Sequence, residues 1–329
     1  MAAKRKQPRW WIAVSILIVG LFSLLGKLQI GPVINSTSTD EQTAQKDVPD
    51  HNIPARQAGT IRIATFNIQV FGTSKLENPT VIRRLASLIR QFDLVAIQEI
   101  RSVDQTVIPQ FVNLVNENGD HYQYLLGDRL GRTSSKEQYA FFYRASLMEP
   151  IYGSVYNIED RQDRIHREPL IGTFRIRDAG GKEPFQFTLI NIHTDPDEAE
   201  WEVAQTAEVY RFVKSYNQDE DDVIVLGDLN VAAPKLTPLT EIPLLRSVIG
   251  STPTNTARNA QYDHILVDHQ NTLEFTGRAG VLDMASFLKV SDQEALELSD
   301  HQPVWAEFYT DERRGPEQIA SPFDERTVR

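Results

Sequence analysis

Phe66-Asn67, Gln98-Glu99, Lys136-Glu137, Asn191-Ile192-His193, Gly227-Asp228-Leu229-Asn230 and Ser299-Asp300-His301 each close an apolar, strand-like run. Together these motifs supply carboxylates, amides and two of the seven histidines of the chain. Oxygen donors can hold a divalent cation, and imidazoles can move a proton near neutral pH. That combination is suited to hydrolysing a phosphate ester.

Asp228 and Asn230 follow Val223-Ile224-Val225-Leu226. Residues two apart share one side of a strand, so this acid and amide can point at one spot. The acid can orient or deprotonate a water, and the amide can hydrogen-bond a phosphoryl oxygen. An Asp-x-Asn turn that merely closes a strand has the same sequence. Glu99, with Asn67 and Asp300, would suit Mg²⁺ (or Mn²⁺), which takes one or two carboxylates and keeps several waters. His193 and His301 each adjoin an apolar run, and Glu137 and Asp263 are carboxylates that could fix their tautomers. Arg101, Arg132, Lys136 and Arg167 fall in loops or at strand ends; individually they read as surface charge, collectively as a local cationic patch.

Elements at a fixed spacing must carry these groups. Buried strands are expected at 61–67, 93–99, 139–143, 172–176, 185–193, 223–227, 262–267 and 304–309. Ile82, Leu85, Ala86 and Ile89 recur at helical spacing. Asp195-Pro196 is expected to cap a helix whose Val203, Ala207, Tyr210 and Val213 share a face. Many strands with few long helices predict an α/β sandwich.

The remainder of the 329 residues is organised around that body. Four cations precede a nearly continuous apolar run from Trp10 to Leu25. The pattern predicts an uncleaved signal anchor over 1–30, a single-pass membrane protein with a cytoplasmic N-terminus and an extracytoplasmic catalytic domain. The alternative is a secreted protein after signal cleavage. Residues 31–59 read as a disordered tether, 60–310 as the catalytic domain and 311–329 as a flexible tail. The absence of cysteine excludes disulfides and thiol catalysis. A net charge of −11 gives the body no long-range attraction for nucleic acid, so polyanion binding must come from a local patch and bound metal.

With these residues in order, the body over about 60–310 resembles the endonuclease/exonuclease/phosphatase superfamily, and within it the deoxyribonuclease I family. The stretches that carry the resemblance are Ile63-Ala64-Thr65-Phe66-Asn67-Ile68, Ile97-Gln98-Glu99-Ile100-Arg101, Gly131-Arg132 through Tyr139, Arg167-Glu168-Pro169, Gly227–Asn230, Tyr262-Asp263 and Ser299–Pro303. The resemblance implies a four-layer α/β sandwich, two packed and mainly antiparallel sheets flanked by helices, with the site at one rim. It implies Glu99 as ligand of the catalytic metal with Asn67 and Asp300 close by, and Glu137–His193 and Asp263–His301 as the general acid and base pair. Asp228 and Asn230 would hold water and phosphate, while Arg101 and Arg167 would contact the DNA backbone or minor groove; Arg132, from the cationic patch, is a further substrate-binding candidate.

Three departures accompany it. Gln69 and Ser135 stand where the DNA-cutting relatives place an arginine and a tyrosine that enter the minor groove. Ala233 and Ala260 stand where a bridge is expected, so loop rigidity must come from packing or calcium. The anchor segment is not typical of secreted nucleases. Thr254, Thr256 and nearby carbonyls lie where relatives bind a structural Ca²⁺. The expectation is a monomeric, Mg²⁺-dependent DNA endonuclease leaving 5′-phosphate ends. The alternatives are the same fold acting on RNA, a nucleotide, an inositol phosphate or a phospholipid, and a non-catalytic binding module.

Overall fold

The computed structural model describes residues 53–132, 136–216 and 222–313. The anchor segment, most of the tether and the tail beyond residue 313 lie outside these, as does Ser135. Among the described residues no helix is long and apolar enough to cross a membrane.

The strands, in chain order, are β1 (Thr60–Phe71), β2 (Leu94–Ile100), β3 (Tyr122–Leu126), β4 (Gln138–Arg144), β5 (Met148–Pro150), β6 (Tyr156–Asn157), β7 (Leu170–Ile176), β8 (Gln186–His193), β9 (Val223–Asp228), β10 (Leu245–Ser247), β11 (Asp263–Asp268), β12 (Phe275–Val281) and β13 (Val304–Tyr309). The helices are α1 (Thr73–Leu76), α2 (Pro79–Ile89), α3 (Val107–Val115), α4 (Ala199–Tyr216), α5 (Met284–Leu288) and α6 (Asp292–Leu296). One sheet runs β12-β13-β1-β2-β4-β3. The other runs β10-β11-β9-β8-β7-β5, with β6 also on β7. Two neighbouring pairs, β1–β2 and β8–β9, are parallel, and the rest are antiparallel. Parallel neighbours need a crossover, and helices supply it: α2 between β1 and β2, α4 between β8 and β9.

Three apolar layers make this the expected four-layer sandwich. Ala64, Phe66, Val95 and Ile97 pack with Leu85, Ile89 and Phe111 of the first helical layer. Ile63, Leu94, Phe141, Leu189, Leu226 and Ile265 fill the space between the sheets. Ile190, Ile192, Val223 and Val225 meet Val203, Ala207 and Tyr210 of α4. Strands buried on both faces explain the unbroken apolar runs in the sequence. At α2, the Asn78 side chain accepts from the backbone of Thr80 and Val81, and Pro79 occupies the first turn.

The period of two then positions the chemistry. On the inter-sheet face β1 presents Ile61 and Ile63, then Thr65 and Asn67; β2 presents Leu94 and Ala96, then Gln98. On the opposing sheet β8 ends in Asn191 and His193, and β9 ends in Asp228. Antiparallel β11 begins with Asp263. Each strand therefore turns from apolar to polar at the same end of the inter-sheet layer.

Some boundaries differ from expectation. Helix α4 starts at Ala199, and the Asp195 side chain instead accepts from the backbone of Asp197 in a turn. Residues 53–59 belong to the body. Arg62 donates to the Pro54 carbonyl, Arg278 donates to the Ala55 carbonyl (2.8 Å), the Gln57 N–H reaches Glu307 (3.0 Å), and Arg56 pairs with Asp93. Asp311 bridges Pro184 and pairs with Lys182, so the body also extends past residue 310.

Candidate active site

Strand register brings the predicted residues into rows. Across the second sheet His193 pairs with Asp228, and Asp228 with Asp263; across the first sheet Asn67 pairs with Gln98. Gly227 makes the β8–β9 approach possible. At φ +144 it presses so close to β8 that a Cβ would lie 1.8 Å from the Ile192 carbonyl oxygen. Glu99 (φ 63) and Asn230 (φ 50) hold left-handed backbone, a conformation costly for such residues and concentrated at functional sites.

Two carboxylate–histidine pairs face one another over Asp228. His193 Nδ1 lies 2.7 Å from Glu137 Oε1, and His301 Nδ1 lies 2.8 Å from Asp263 Oδ2. A carboxylate only accepts, so each Nδ1 donates and each Nε2 faces the site. Both Nε2 atoms stand 3.5 Å from the same oxygen, Asp228 Oδ2, which also accepts from Asn67 Nδ2 at 3.0 Å. Burial alone would lower the His301 pKa; Asp263 and Asp228 outweigh it and raise it to about 11. Burial would likewise lower the pKa of His193, and Glu137 and Asp228 raise it instead. Burial pushes Asp228 and Glu137 up. The two imidazoles outweigh this at Asp228, and His193 with Arg167 and Arg101 does so at Glu137, so both are held below the usual carboxylate range. Asp263 moves upward, because complete burial and the Asp228 charge exceed what His301 returns. Shifts of this kind are what a site that moves protons requires.

The three arginines take different places. Arg101 sits at the mouth, its Nη2 3.3 Å from Glu99 Oε2 and its Nε 3.8 Å from Glu137 Oε2. Arg167 is not a surface contact. It is 2 % exposed, donates to the carbonyls of His193 (3.2 Å) and Thr194 (3.1 Å), and lies 3.5 Å from Glu137 Oε1. Its charge braces the Glu137–His193 pair from behind. Arg132 is engaged by Asp163 (2.9 Å) and Glu198 (3.2 Å), so binding substrate would require breaking those pairs. Removing one partner of a buried pair strands the other charge, at a cost of about 3–5 kcal/mol. Arg167→Met should therefore lower thermal stability by roughly that amount. Unchanged melting with a raised KM for substrate would return Arg167 to the role its sequence position suggests.

Glu99 and Asp300 fit a hard cation. Both are oxygen donors, both act electrostatically on Lys75, and Asp300 is open to solvent (54 % side-chain exposure), leaving room for water ligands. Asn67 differs from expectation: its Oδ1 accepts the Gln69 N–H (2.9 Å), and its Nδ2 bridges Glu99 (3.2 Å) and Asp228. It presents nitrogen, not oxygen, to the site and serves as a spacer between carboxylates. Asp228, Asp263 and His301 also bring ligand atoms within 4.8 Å of one another, but the contacts above already tie these groups into the proton pair. The Thr254 hydroxyl does not fit a calcium ligand. It donates to Asp263 (2.8 Å) and accepts the N–H groups of Tyr262 and Asp263 (both 3.0 Å), leaving no lone pair. Thr256 donates to the Ser299 carbonyl (2.7 Å).

Several contributors escaped sequence reasoning. Gln98 donates to Thr65 (2.9 Å) and Asn191 (2.7 Å), forming a buried polar floor between the sheets. The Tyr139 hydroxyl accepts the His193 N–H at 3.0 Å. Ser299 donates to the Asn67 carbonyl (2.7 Å), and Lys75 donates to those of Ile68 (2.8 Å) and Leu298 (2.5 Å). These two residues clasp the Asn67 segment to the one carrying Asp300 and His301. Gln98, Asn191 and Ser299 lay inside the motifs without a role; Lys75 carried no signal beyond following the β1 rim.

A four-layer sandwich with carboxylate-paired histidines and oxygen donors at one rim defines a hydrolase acting on phosphate esters. The chain belongs to the endonuclease/exonuclease/phosphatase family, whose pattern it matches over residues 64–301. It is 30% identical over 263 residues to human deoxyribonuclease gamma, covering 74% of this chain and 84% of that protein. It is 29% identical over 265 residues to chicken deoxyribonuclease-1, covering 76% and 92%. A mannosyl-6-phosphatase from Bacteroides thetaiotaomicron shares the fold at a TM-score of 0.52 and 17% identity, over 75% of this chain and 98% of that one. The human Nocturnin catalytic domain does so at 0.53 and 14%, over 77% and 96%.

Proposed function

We propose that this protein is a metal-dependent phosphodiesterase whose substrate is DNA, cut endonucleolytically to leave 5′-phosphate ends. The observation that carries the reading is the meeting of two tautomer-fixed Nε2 atoms at one carboxylate oxygen, Asp228 Oδ2, each at 3.5 Å. Hydrolysis of a phosphodiester needs one group to take a proton from water and another to give one to the leaving oxygen, and the site holds two such groups on either side of an acid. Asp228 orients the attacking water. One histidine relay accepts its proton, and the other protonates the leaving 3′ oxygen. Asn230, whose Nδ2 is held by the Thr194 carbonyl at 2.9 Å, stands beside Asp228. Arg101 supplies positive charge at the mouth, where a phosphoryl oxygen would arrive. Glu99 and Asp300 would hold Mg²⁺ or Mn²⁺, which when bound offsets charge on the phosphate and leaving oxygen. The likeness to two deoxyribonucleases supports DNA as the ester.

A second reading, another phosphate ester on the same fold, is favoured by Gln69, which brings no cation to the rim. A panel separates them: duplex DNA, RNA, a phosphomonoester and an inositol phosphate, assayed with Mg²⁺ at equal concentration. DNA should be cleaved with the highest kcat/KM, and its products should be ligatable. Faster turnover of the monoester would move the assignment to a phosphatase. The N-terminal segment, by its sequence, would tether this activity to a membrane with the catalytic domain outside the cytoplasm.

A further inference from the structure

A groove of about 720 Å³ opens beside the catalytic rim, with Asn230 and Tyr262 at its catalytic end. Its volume lies within the range of small-molecule sites, ~300–1,000 Å³. The geometry points to a subsite for a single unpaired nucleobase flanking the scissile phosphate. This rests on the reading of the rim as a phosphodiesterase and goes beyond it by naming the form of the substrate.

Three features carry it. First, the groove is built in advance. Gln261 Oε1 accepts the Ala233 N–H (2.9 Å), and its Nε2 donates to the Gly250 carbonyl (2.8 Å), tying two of the three walls. Asn230 ties the third through Thr194 (2.9 Å). One amide thus supplies the rigidity for which Ala233 and Ala260 offer no bridge. Second, the lining suits a flat uncharged group. Pro196, Pro234 and Pro253 offer apolar faces, and the Tyr262 ring lies 5.8 Å from the His301 ring, linking the groove to the chemistry. Third, the charge is wrong for a phosphate backbone. Lys235 is the cation among the described lining residues and is engaged by Glu200 at 2.6 Å, while Asp197 adds a further negative charge. A base can enter only when it is out of the stack, so one nucleotide beside the cut is unpaired in the bound state, whether it arrives in a single strand or is unstacked from a duplex.

The test uses short single strands with one cleavable phosphodiester between blocked linkages. One carries bases on both sides, and two lack the base on one side or the other. With Mg²⁺ the wild-type chain should cleave the intact strand about tenfold or more faster than one of the abasic strands, the scale of one base stack. Ala232→Phe, which fills the groove from an exposed wall position, should bring that ratio to about one. Tyr262→Leu, which removes the ring and leaves Ala232 in place, should reduce it as well. A wild-type ratio near one on both sides overturns the subsite while leaving the phosphodiesterase intact. A ratio that persists in both variants places base recognition elsewhere and also overturns it. No cleavage of any strand by protein that still nicks supercoiled plasmid with Mg²⁺ also overturns the subsite, whereas loss of both activities removes the phosphodiesterase reading itself.

Discussion

Replacing His301 with alanine is expected to slow phosphodiester turnover by about 10²- to 10⁴-fold, the range for a positioned proton carrier. Its Nε2 is one of two that face Asp228 Oδ2, and its Nδ1 is fixed by Asp263. The variant also leaves Asp263 buried with only the Thr254 hydroxyl as side-chain partner, so a melting curve must accompany the kinetics. Asp263→Asn offers a finer probe. The Asp263 charge stabilises the imidazolium and raises the His301 pKa; without it that pKa falls. The limb of the pH–rate profile that reports His301 should then move to lower pH. A folded His301→Ala protein with wild-type turnover would remove the residue from the reaction.

Glu99→Ala should be as damaging, for a different reason. A bound cation supplies several kcal/mol of transition-state stabilisation, so its loss costs on the order of 10³-fold in rate. The variant has a second readout independent of catalysis. A ligand at ~100 times its Kd stabilises the folded state by about 2.7 kcal/mol. Mg²⁺ should raise the melting temperature of the wild-type chain and do so far less for Glu99→Ala. Glu99 also accepts the Val70 N–H at 2.7 Å, so a modest loss of metal-free stability is expected too. An undiminished Mg²⁺ shift in the variant would place the cation elsewhere.

The gathering of these polar residues at one rim was legible because the period of two makes it so. Short apolar runs rich in β-branched residues, such as Val223–Leu226, favour buried strands, and the polar residue that ends such a run emerges at a rim. The same logic fails where strands lack that contrast. β12 carries Gly277 and Gly280 and is half-buried apart from the exposed Gly277, and β3 lies at the edge of its sheet, so neither shows a long apolar run. Helix α3 has Pro109 in its first turn, which reads as a break. Charged residues misled for a related reason. Arg167 and Arg132 are indistinguishable in sequence from surface cations, yet one is buried against carbonyls and the other is held by two carboxylates. Contacts between segments far apart in sequence, such as Lys75 with Leu298 or Gln98 with Asn191, leave no local pattern to read.

The most direct test is the nicking of supercoiled plasmid by the purified protein, because one phosphodiester cut converts the circle to a relaxed form. Mg²⁺ should support nicking. EDTA should stop it, and a folded Asp228→Ala protein should fail to nick in the presence of Mg²⁺. Plasmid left intact by the wild-type protein with Mg²⁺, or cut equally well by Asp228→Ala, would contradict the assignment of this rim as a metal-dependent DNA-cleaving site.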